Sequence, residues 1–296
     1  MITRTLPGIL FATAMLAAIP CTAQTNYDTV QVKMVPITPT VYLLQGAGGN
    51  VVVSAGNDAV FVVDAQLAQL TKKLQAAIAE LTSNPVRFVV NTHWHPDHVG
   101  GNENLGKAGA TLRAHENVRR RMSAEQFIAA QNRKIPRSPS AAVPLPISDT
   151  AFVLNGDSIT VFHAPNAHTD GDLIVHFTKS NVIHMGDVFS SSSLPFIDVT
   201  SGGSINGIID AVDKVLAIAG DNTHIVPGHG PLANKARLKM YRDVIVTLRD
   251  RIRALVSTGK TIEQIMELNI AAPFAKEFPG GHKIFVTEAH KDLTRK

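Results

Sequence analysis

The rhythm of apolar and polar positions changes three times in the first hundred residues. Val41 to Leu44, Val51 to Ser54 and Val60 to Val63 are short β-branched runs. The stretches Gly46-Ala47-Gly48-Gly49-Asn50 and Ala55-Gly56-Asn57-Asp58 part them, a pattern that predicts an antiparallel meander. A helical period follows, with Leu67, Leu70, Leu74, Ile78 and Leu81 on one face until Asn84-Pro85 ends it. Val86 to Val90 is then uniformly apolar apart from Arg87, as a buried strand requires, and Thr111 to Ala114 is a further short strand.

Glu116 to Gln131 has the composition of a helix. The segment from Ile135 to Pro146 cannot extend it, because Pro136, Pro139, Pro144 and Pro146 interrupt it; a surface flap and a plain connector are both compatible with this stretch. Two strand pairs come next, Ala151 to Leu154 with Ser158 to His163 and Leu173 to Phe177 with Val182 to Met185. A helix over Ile205 to Ala219, a strand over Thr223 to Val226 and a long amphipathic helix over Lys235 to Val256 complete the pattern. Two successive blocks of strands then helix favour an α/β fold with two sheets between helices, in one domain over residues 24–296 with a helical extension from about 232.

The N-terminus changes the picture of where this domain works. Arg4, the apolar run from Ile9 to Ile19 and the small residues Cys21-Thr22-Ala23 read as a secretory signal over residues 1–23, cleaved before Gln24, which predicts a periplasmic or secreted protein. Lipoprotein processing at Cys21 competes, although Ile19-Pro20 is a poor match to it. Cys21 is the only cysteine, so cleavage after Ala23 leaves no thiol for a disulfide, a nucleophile or a metal ligand. No later apolar run is long enough for stable membrane insertion. Composition is globular, at 45% hydrophobic and 18% charged, and the net charge of +4 is modest. Only Arg119-Arg120-Arg121 concentrates it, on a helix where a solvated face is expected, and 5% aromatics supply no stacking platform, so a nucleic-acid partner is not expected. A small-molecule substrate is; oligomeric state is left open.

Candidate chemistry concentrates directly after the strand Val86 to Val90, in His93-Trp94-His95-Pro96-Asp97-His98. Alternate side chains of an extended segment share a face, so His93 and His95 can reach one cation while Asp97 and His98, where the chain turns, can reach another. Imidazole and carboxylate without thiolate suit zinc best, with iron, manganese or nickel compatible by ligand type. Further candidates lie in loops after strands, in Asn166-Ala167-His168-Thr169-Asp170-Gly171-Asp172, His184-Met185-Gly186-Asp187 and Pro227-Gly228-His229-Gly230. Asp64 and His184 are placed to hydrogen-bond to ligands, His163, His176 and His224 adjoin apolar strands, and His115, His282 and His290 read as surface residues. Trp94 either lines the cleft or packs beside the loop.

His93-x-His95-x-Asp97-His98, the isolated His168, Gly186-Asp187 and His229 between glycines resemble, in order, the motifs of the metallo-β-lactamase superfamily over about Val41 to Pro231. The resemblance implies a four-layered αββα sandwich of two mixed sheets flanked by helices, with the site at one edge. It implies two Zn2+ ions, the first held by His93, His95 and His168 and the second by Asp97, His98 and His229, with Asp187 bridging as in glyoxalase II.

Two such ions about 3.5–4 Å apart can share a water, ready it as hydroxide near pH 7 and polarise a carbonyl, so the expected reaction is hydrolysis. Asp97 would orient the nucleophile and collect its proton. The six residues other than Asp187 match the ligand set of one true β-lactamase subclass. Asp187, however, stands where that subclass has Ser and another has Cys, and Val188-Phe189-Ser190-Ser191-Ser192-Ser193 holds no Lys to pair with a lactam carboxylate, although its serines could donate hydrogen bonds. Hydrolysis of β-lactams or similar cyclic amides therefore leads. A lactone, ester or thioester hydrolase follows it, and a metal-dependent binding module without turnover is the reading from another class.

Overall fold

The computed structural model describes residues 25–295, so residues 1–23, expected from the sequence to be a secretory signal, lie outside the described residues together with Cys21. The first half builds a seven-stranded sheet. β1 (Lys33–Pro36), β2 (Val41–Gln45), β3 (Val51–Ala55) and β4 (Val60–Val63) form the antiparallel meander, with β1 an edge strand the sequence pattern did not mark. After helix α1 (Thr71–Ala79), β5 (Val86–Val90) joins β4 in parallel. The short helices α2 (Pro96–Val99) and α3 (Asn102–Lys107) lead to β6 (Thr111–Ala114), parallel to β5.

The next segment corrects the expected long helix. α4 runs only from Glu116 to Met122, and its last turn is closed by the Ser123 hydroxyl donating to Arg119 O. The chain then forms an isolated hairpin, β7 (Gln126–Ile128) with β8 (Arg133–Ile135), turned through Asn132 in the left-handed region. Good helix formers are overridden here because the hairpin lets Ile128 bury beside Trp94, Val99 and Met122. The proline-rich stretch is a docked connector rather than a free flap: Ala142 is buried, its carbonyl accepts from Asn102 Nδ2, and β9 (Leu145–Pro146) pairs with β6. The arginine run is also not uniform. Arg119 and Arg120 are exposed, but Arg121, a hundred degrees further round the helix, reaches Asp170 Oδ2 at 2.6 Å.

The second half forms a five-stranded sheet. β10 (Thr150–Leu154), β11 (Asp157–Ala164), β12 (Asp172–Phe177) and β13 (Val182–His184) are antiparallel; helix α5 (Ile205–Ile218) then crosses over to β14 (His224–Val226), parallel to β13. Helices α6 (Lys235–Ser257), α7 (Ile262–Glu267) and α8 (His282–Thr294) end the chain.

Side-chain alternation makes the four layers. Leu43, Val52, Phe61 and Val63 face Val161, Leu173, Val175 and Phe177 between the sheets. Their neighbours Leu44, Val51, Val53, Val60 and Val62 face Leu74, Ile78 and Leu105 of α1 and α3. On the far side Ile174, Ile183 and Ile225 meet Ile208, Val212, Leu238, Ile245 and Phe285 of α5, α6 and α8. Burial on both faces explains why β4 is so continuously apolar. The C-terminal helices thus cover a sheet face. The consequence for chemistry is positional: β4, β5, β13 and β14 all deliver their C-terminal ends to the same rim, where loops of an open α/β sheet gather.

Candidate metal centre

At that rim the seven side chains named from the sequence converge in two groups. His93, His95, His168 and Asp187 offer one atom each within 4.8 Å of one another, and so do Asp97, His98 and His229. Asp187 stands between the groups. Its Oδ2 is 3.9 Å from His93 Nε2, 3.8 Å from His168 Nε2 and 3.4 Å from His229 Nε2, while its Oδ1 is 3.1 Å from His98 Nε2. Asp97 Oδ2 lies 3.2 Å from His229 Nε2 and 3.6 Å from His98 Nε2.

The outer hydrogen bonds fix which nitrogen of each ring faces inward. His98 Nδ1 donates to Asp64 Oδ2 at 2.7 Å, so Nε2 is the nitrogen that faces inward and presents a lone pair when the ring is neutral. His95 Nε2 donates to Asp198 Oδ2 at 3.0 Å, leaving Nδ1 inward, and His168 Nδ1 donates to Phe196 O at 2.7 Å, leaving Nε2 inward. Thr92 Oγ1 gives its proton to Asp64 Oδ2, so at 3.1 Å it accepts from His93 Nδ1 and the lone pair of His93 is again on Nε2. These tautomers leave the lone pairs of His168 Nε2 and His95 Nδ1 facing one another at 2.9 Å, while His229 Nε2 lies 3.4 Å from His98 Nε2 and beside both Asp97 and Asp187. His93 Nε2 and Asp187 Oδ1 are buried with no hydrogen-bond partner, Oδ1 being near His98 but unaligned with a donor. Such an arrangement costs free energy in the absence of a positive charge at its centre, and the donor set fits one or two divalent cations.

Protonation without a cation follows the same logic. Burial, reinforced by His98, pushes His93 well below the usual imidazole range, and burial with His95 takes His168 down to about 4. Burial opposes charge on His98, but Asp187, Asp64 and Asp97 outweigh it and raise it well above normal. Asp187 raises His229 to about 10. Burial would raise both carboxyls, yet His98 and His229 hold Asp97 and Asp187 below the ordinary carboxylate range.

Local backbone explains the crowding. Asp64 sits directly after β4 at φ 67° and receives Thr92 N at 2.7 Å besides its bonds to His98 and the Thr92 hydroxyl, tying the end of β4 to the loop after β5. Gly228 packs against Asp187 so closely that a Cβ there would overlap Oδ1. His184 does not reach a candidate ligand. Its Nδ1 accepts from Gly186 N at 3.0 Å and its Nε2 meets Asn50 O at 3.2 Å, which fixes the turn presenting Asp187. Asp198 was not legible as a site residue; it lies 103 positions from the histidine it orients, with no motif around it. Trp94 is buried and donates from Nε1 to Ser201 Oγ at 3.2 Å, so it packs beside the loop. His163 stacks on His115 at 3.8 Å, half-burying a residue expected on the surface.

A cleft of about 450 Å³ opens over the two groups, lined by His95, Asp97, Asp187 and His229 together with Leu67, Ile128, Phe196 and Ile284. None of the serines after Asp187 lines it. Ser190 Oγ is 2.8 Å from Ser193 Oγ, and Ser191 Oγ donates to Pro231 O at 2.7 Å.

Comparison with known proteins agrees with this architecture. The chain is 23% identical over 181 residues to a metallo-beta-lactamase type 2 of Bacillus cereus, covering 60% of this chain and 64% of that protein. It is 28% identical over 159 residues to a hydroxyacylglutathione hydrolase of Nitrosococcus oceani, 52% of each. It therefore spans less than two thirds of the length of either relative. Among solved structures, the DIM-1 metallo-beta-lactamase superposes with a TM-score of 0.59 at 20% identity, covering 74% of this chain and 99% of the other. The inverting sec-alkylsulfatase Pisa1 from Pseudomonas sp. does so with a TM-score of 0.68 at 15% identity, covering 88% and 50%. Residues 35–229 match the family model of the metallo-beta-lactamase superfamily, and the chain belongs to that superfamily.

Proposed function

We propose that this protein is an exported dinuclear metal hydrolase that opens β-lactams or similar cyclic amides. The observation that carries the hydrolase reading is the convergence of inward nitrogens, with the lone pairs of His168 Nε2 and His95 Nδ1 opposed at 2.9 Å and His93 Nε2 buried without a partner, beside a second group of Asp97, His98 and His229 and around a shared carboxylate. In this reading His93, His95 and His168 hold one ion, Asp97, His98 and His229 hold the other, and Asp187 reaches both. Two zinc ions suit these donors best, and iron or manganese are compatible. When bound, such ions lower the pKa of a shared water toward neutrality and polarise the carbonyl under attack.

The chain's own residues do the remaining work. Asp64, Asp198, Thr92 and Phe196 O keep four imidazoles in the tautomer with a free inward nitrogen. Asp97, about a third exposed at the cleft floor, would take the nucleophile's proton on the oxygen not used to hold the ion and return it to the leaving nitrogen. Leu67, Ile128, Phe196 and Ile284 keep bulk water from the carbonyl. Export rests on the sequence of residues 1–23.

A second reading, a lactone, ester or thioester hydrolase, is favoured by Asp187, whose negative charge between the groups weakens electrophilic pull on a poor amide leaving group less harmfully for an ester. The test is turnover by protein of counted metal content against a chromogenic cephalosporin, a lactone and a thioester. Cephalosporin hydrolysis above free zinc supports the first reading, hydrolysis confined to lactone or thioester supports the second, and no turnover of any rejects both.

A further inference from the structure

The hairpin β7–β8 belongs to neither large sheet, yet it reaches over the cleft. Ile128 from its first strand, Gln131 from its turn and Arg133 from its second strand all line the cavity that holds Asp97, Asp187 and His229. Arg133 is the only lysine or arginine among the lining residues. It is exposed, and among the described residues no carboxylate pairs with it. Three neighbouring cations are engaged elsewhere: Arg121 holds Asp170 at 2.6 Å, Lys134 faces Glu125 at 3.5 Å, and Arg237 donates to Ser191 O at 2.7 Å and Glu277 O at 2.6 Å, while Arg137 and Lys283 are exposed and do not line this cleft. No serine, lysine or arginine from the segment after Asp187 lines the cleft.

We propose that Arg133 anchors the substrate of this cleft by an oxyanion group, so that the preferred substrates combine an apolar body with a carboxylate. The proposal rests on the hydrolase reading for its substrate but not for its binding test. The physical basis is the guanidinium fork, which takes a carboxylate through two parallel N–H···O bonds, while Ile128 and Phe196 cover the apolar part. Arg133, exposed at the rim, is not one of the candidate cation ligands on the floor, so it can take an oxyanion group without displacing a ligand of the cations that Asp97 and Asp187 would hold. Arg133 is then a specificity-determining residue carried by the hairpin, not a catalytic one.

The experiment is calorimetric titration of metal-counted protein with phenylacetylglycine, its sulfonate analogue phenylacetyltaurine and the neutral phenylacetylglycine methylamide, in the natural protein, R133Q and R133K. The expected result is that R133Q weakens phenylacetylglycine about 10-fold or more, as loss of a charge-assisted bond does. The methylamide, metal content and melting temperature should stay unchanged. R133K should recover only part of the loss, and less for the planar carboxylate than for the sulfonate, because an ammonium has no fork. Equal loss for both anions in R133K assigns a general anion site and overturns the carboxylate preference. Equal binding of acid and amide, binding of neither, or an R133Q variant indistinguishable from the natural protein overturns the anchor. For any carboxylated substrate that is hydrolysed, R133Q should raise KM and leave kcat. Turnover with an unmoved KM defeats the anchor and spares the hydrolase, whereas Arg133-dependent binding without turnover does the reverse.

Discussion

Asp64→Asn isolates the part of this site that is hardest to replace. The carboxylate accepts three hydrogen bonds, from Thr92 N at 2.7 Å and, on the other oxygen, from Thr92 Oγ1 at 2.8 Å and His98 Nδ1 at 2.7 Å. Asparagine tolerates the φ of 67° at this position and can still accept from Thr92 N, so the backbone is retained. Its amide nitrogen, however, replaces the acceptor opposite His98 Nδ1 by a donor. His98 then relieves the conflict by moving its proton to Nε2, where Asp187 Oδ1 lies 3.1 Å away as an acceptor. That proton occupies the lone pair the second cation needs. Restoring the tautomer leaves two N–H groups opposed, and the lost charge-assisted bond is worth about 1.5–3 kcal/mol, which is about 10- to 150-fold in affinity. Chelator-competition titration resolved into two sites should show the Asp97–His98–His229 site weakened by that factor, and the His93–His95–His168 site weakened less, because Thr92 loses its acceptor but can still accept from His93 Nδ1; the metal-free protein should melt lower but still cooperatively, since Asp64 also stabilises protonated His98. Equal affinities in D64N and the natural protein would refute the tautomer argument; collapse of the metal-free fold would assign Asp64 to stability instead.

Metal uptake near pH 7 should release protons, because His229 is raised to about 10 by Asp187 and His98 is raised as well; titration in two buffers of different ionisation enthalpy measures this, and affinity should rise with pH. The same upward shift gives the sign for the metal-free fold, in which protonated His229 contributes stability fully below about 6.5 and loses it as pH climbs through about 10. Gly228→Ala should destabilise the protein by about 1–3 kcal/mol and lower its metal content, since the added methyl overlaps Asp187 Oδ1 and the Gly186 backbone; denaturant unfolding and elemental analysis check both. Expression in a Gram-negative host should yield periplasmic protein starting near Gln24, read by N-terminal sequencing, whereas an intact N-terminus or acylation at Cys21 would correct the export proposal.

The parts of the fold legible in the sequence are those where burial is two-sided or a turn is chemically marked. β5 and β6 keep the limits read from their apolar runs, and Asn155-Gly156 turns β10 into β11. The stretch from Ser123 to Gln131 reads as the end of a helix because Ala, Glu and Gln carry helical propensity there; what decides is tertiary, the burial of Ile128 and the left-handed turn at Asn132. A similar divide runs through the site. Seven candidate ligands were visible because their residue types are rare and tightly spaced or flanked by glycine. Asp198 and Arg133 are ordinary residues in ordinary segments, and only folding brings one to His95 and the other to the cleft. His184 had the right neighbourhood and another task, holding the Gly186 turn rather than a ligand.

The most direct test of the central claim is an anomalous diffraction map of the purified protein, recorded at the absorption edge of whichever metal its X-ray fluorescence reveals. Two peaks are predicted, one among His93, His95 and His168 and one among Asp97, His98 and His229, with Asp187 reaching toward both. A fully loaded crystal with a single peak, or with peaks away from these imidazoles, would contradict it.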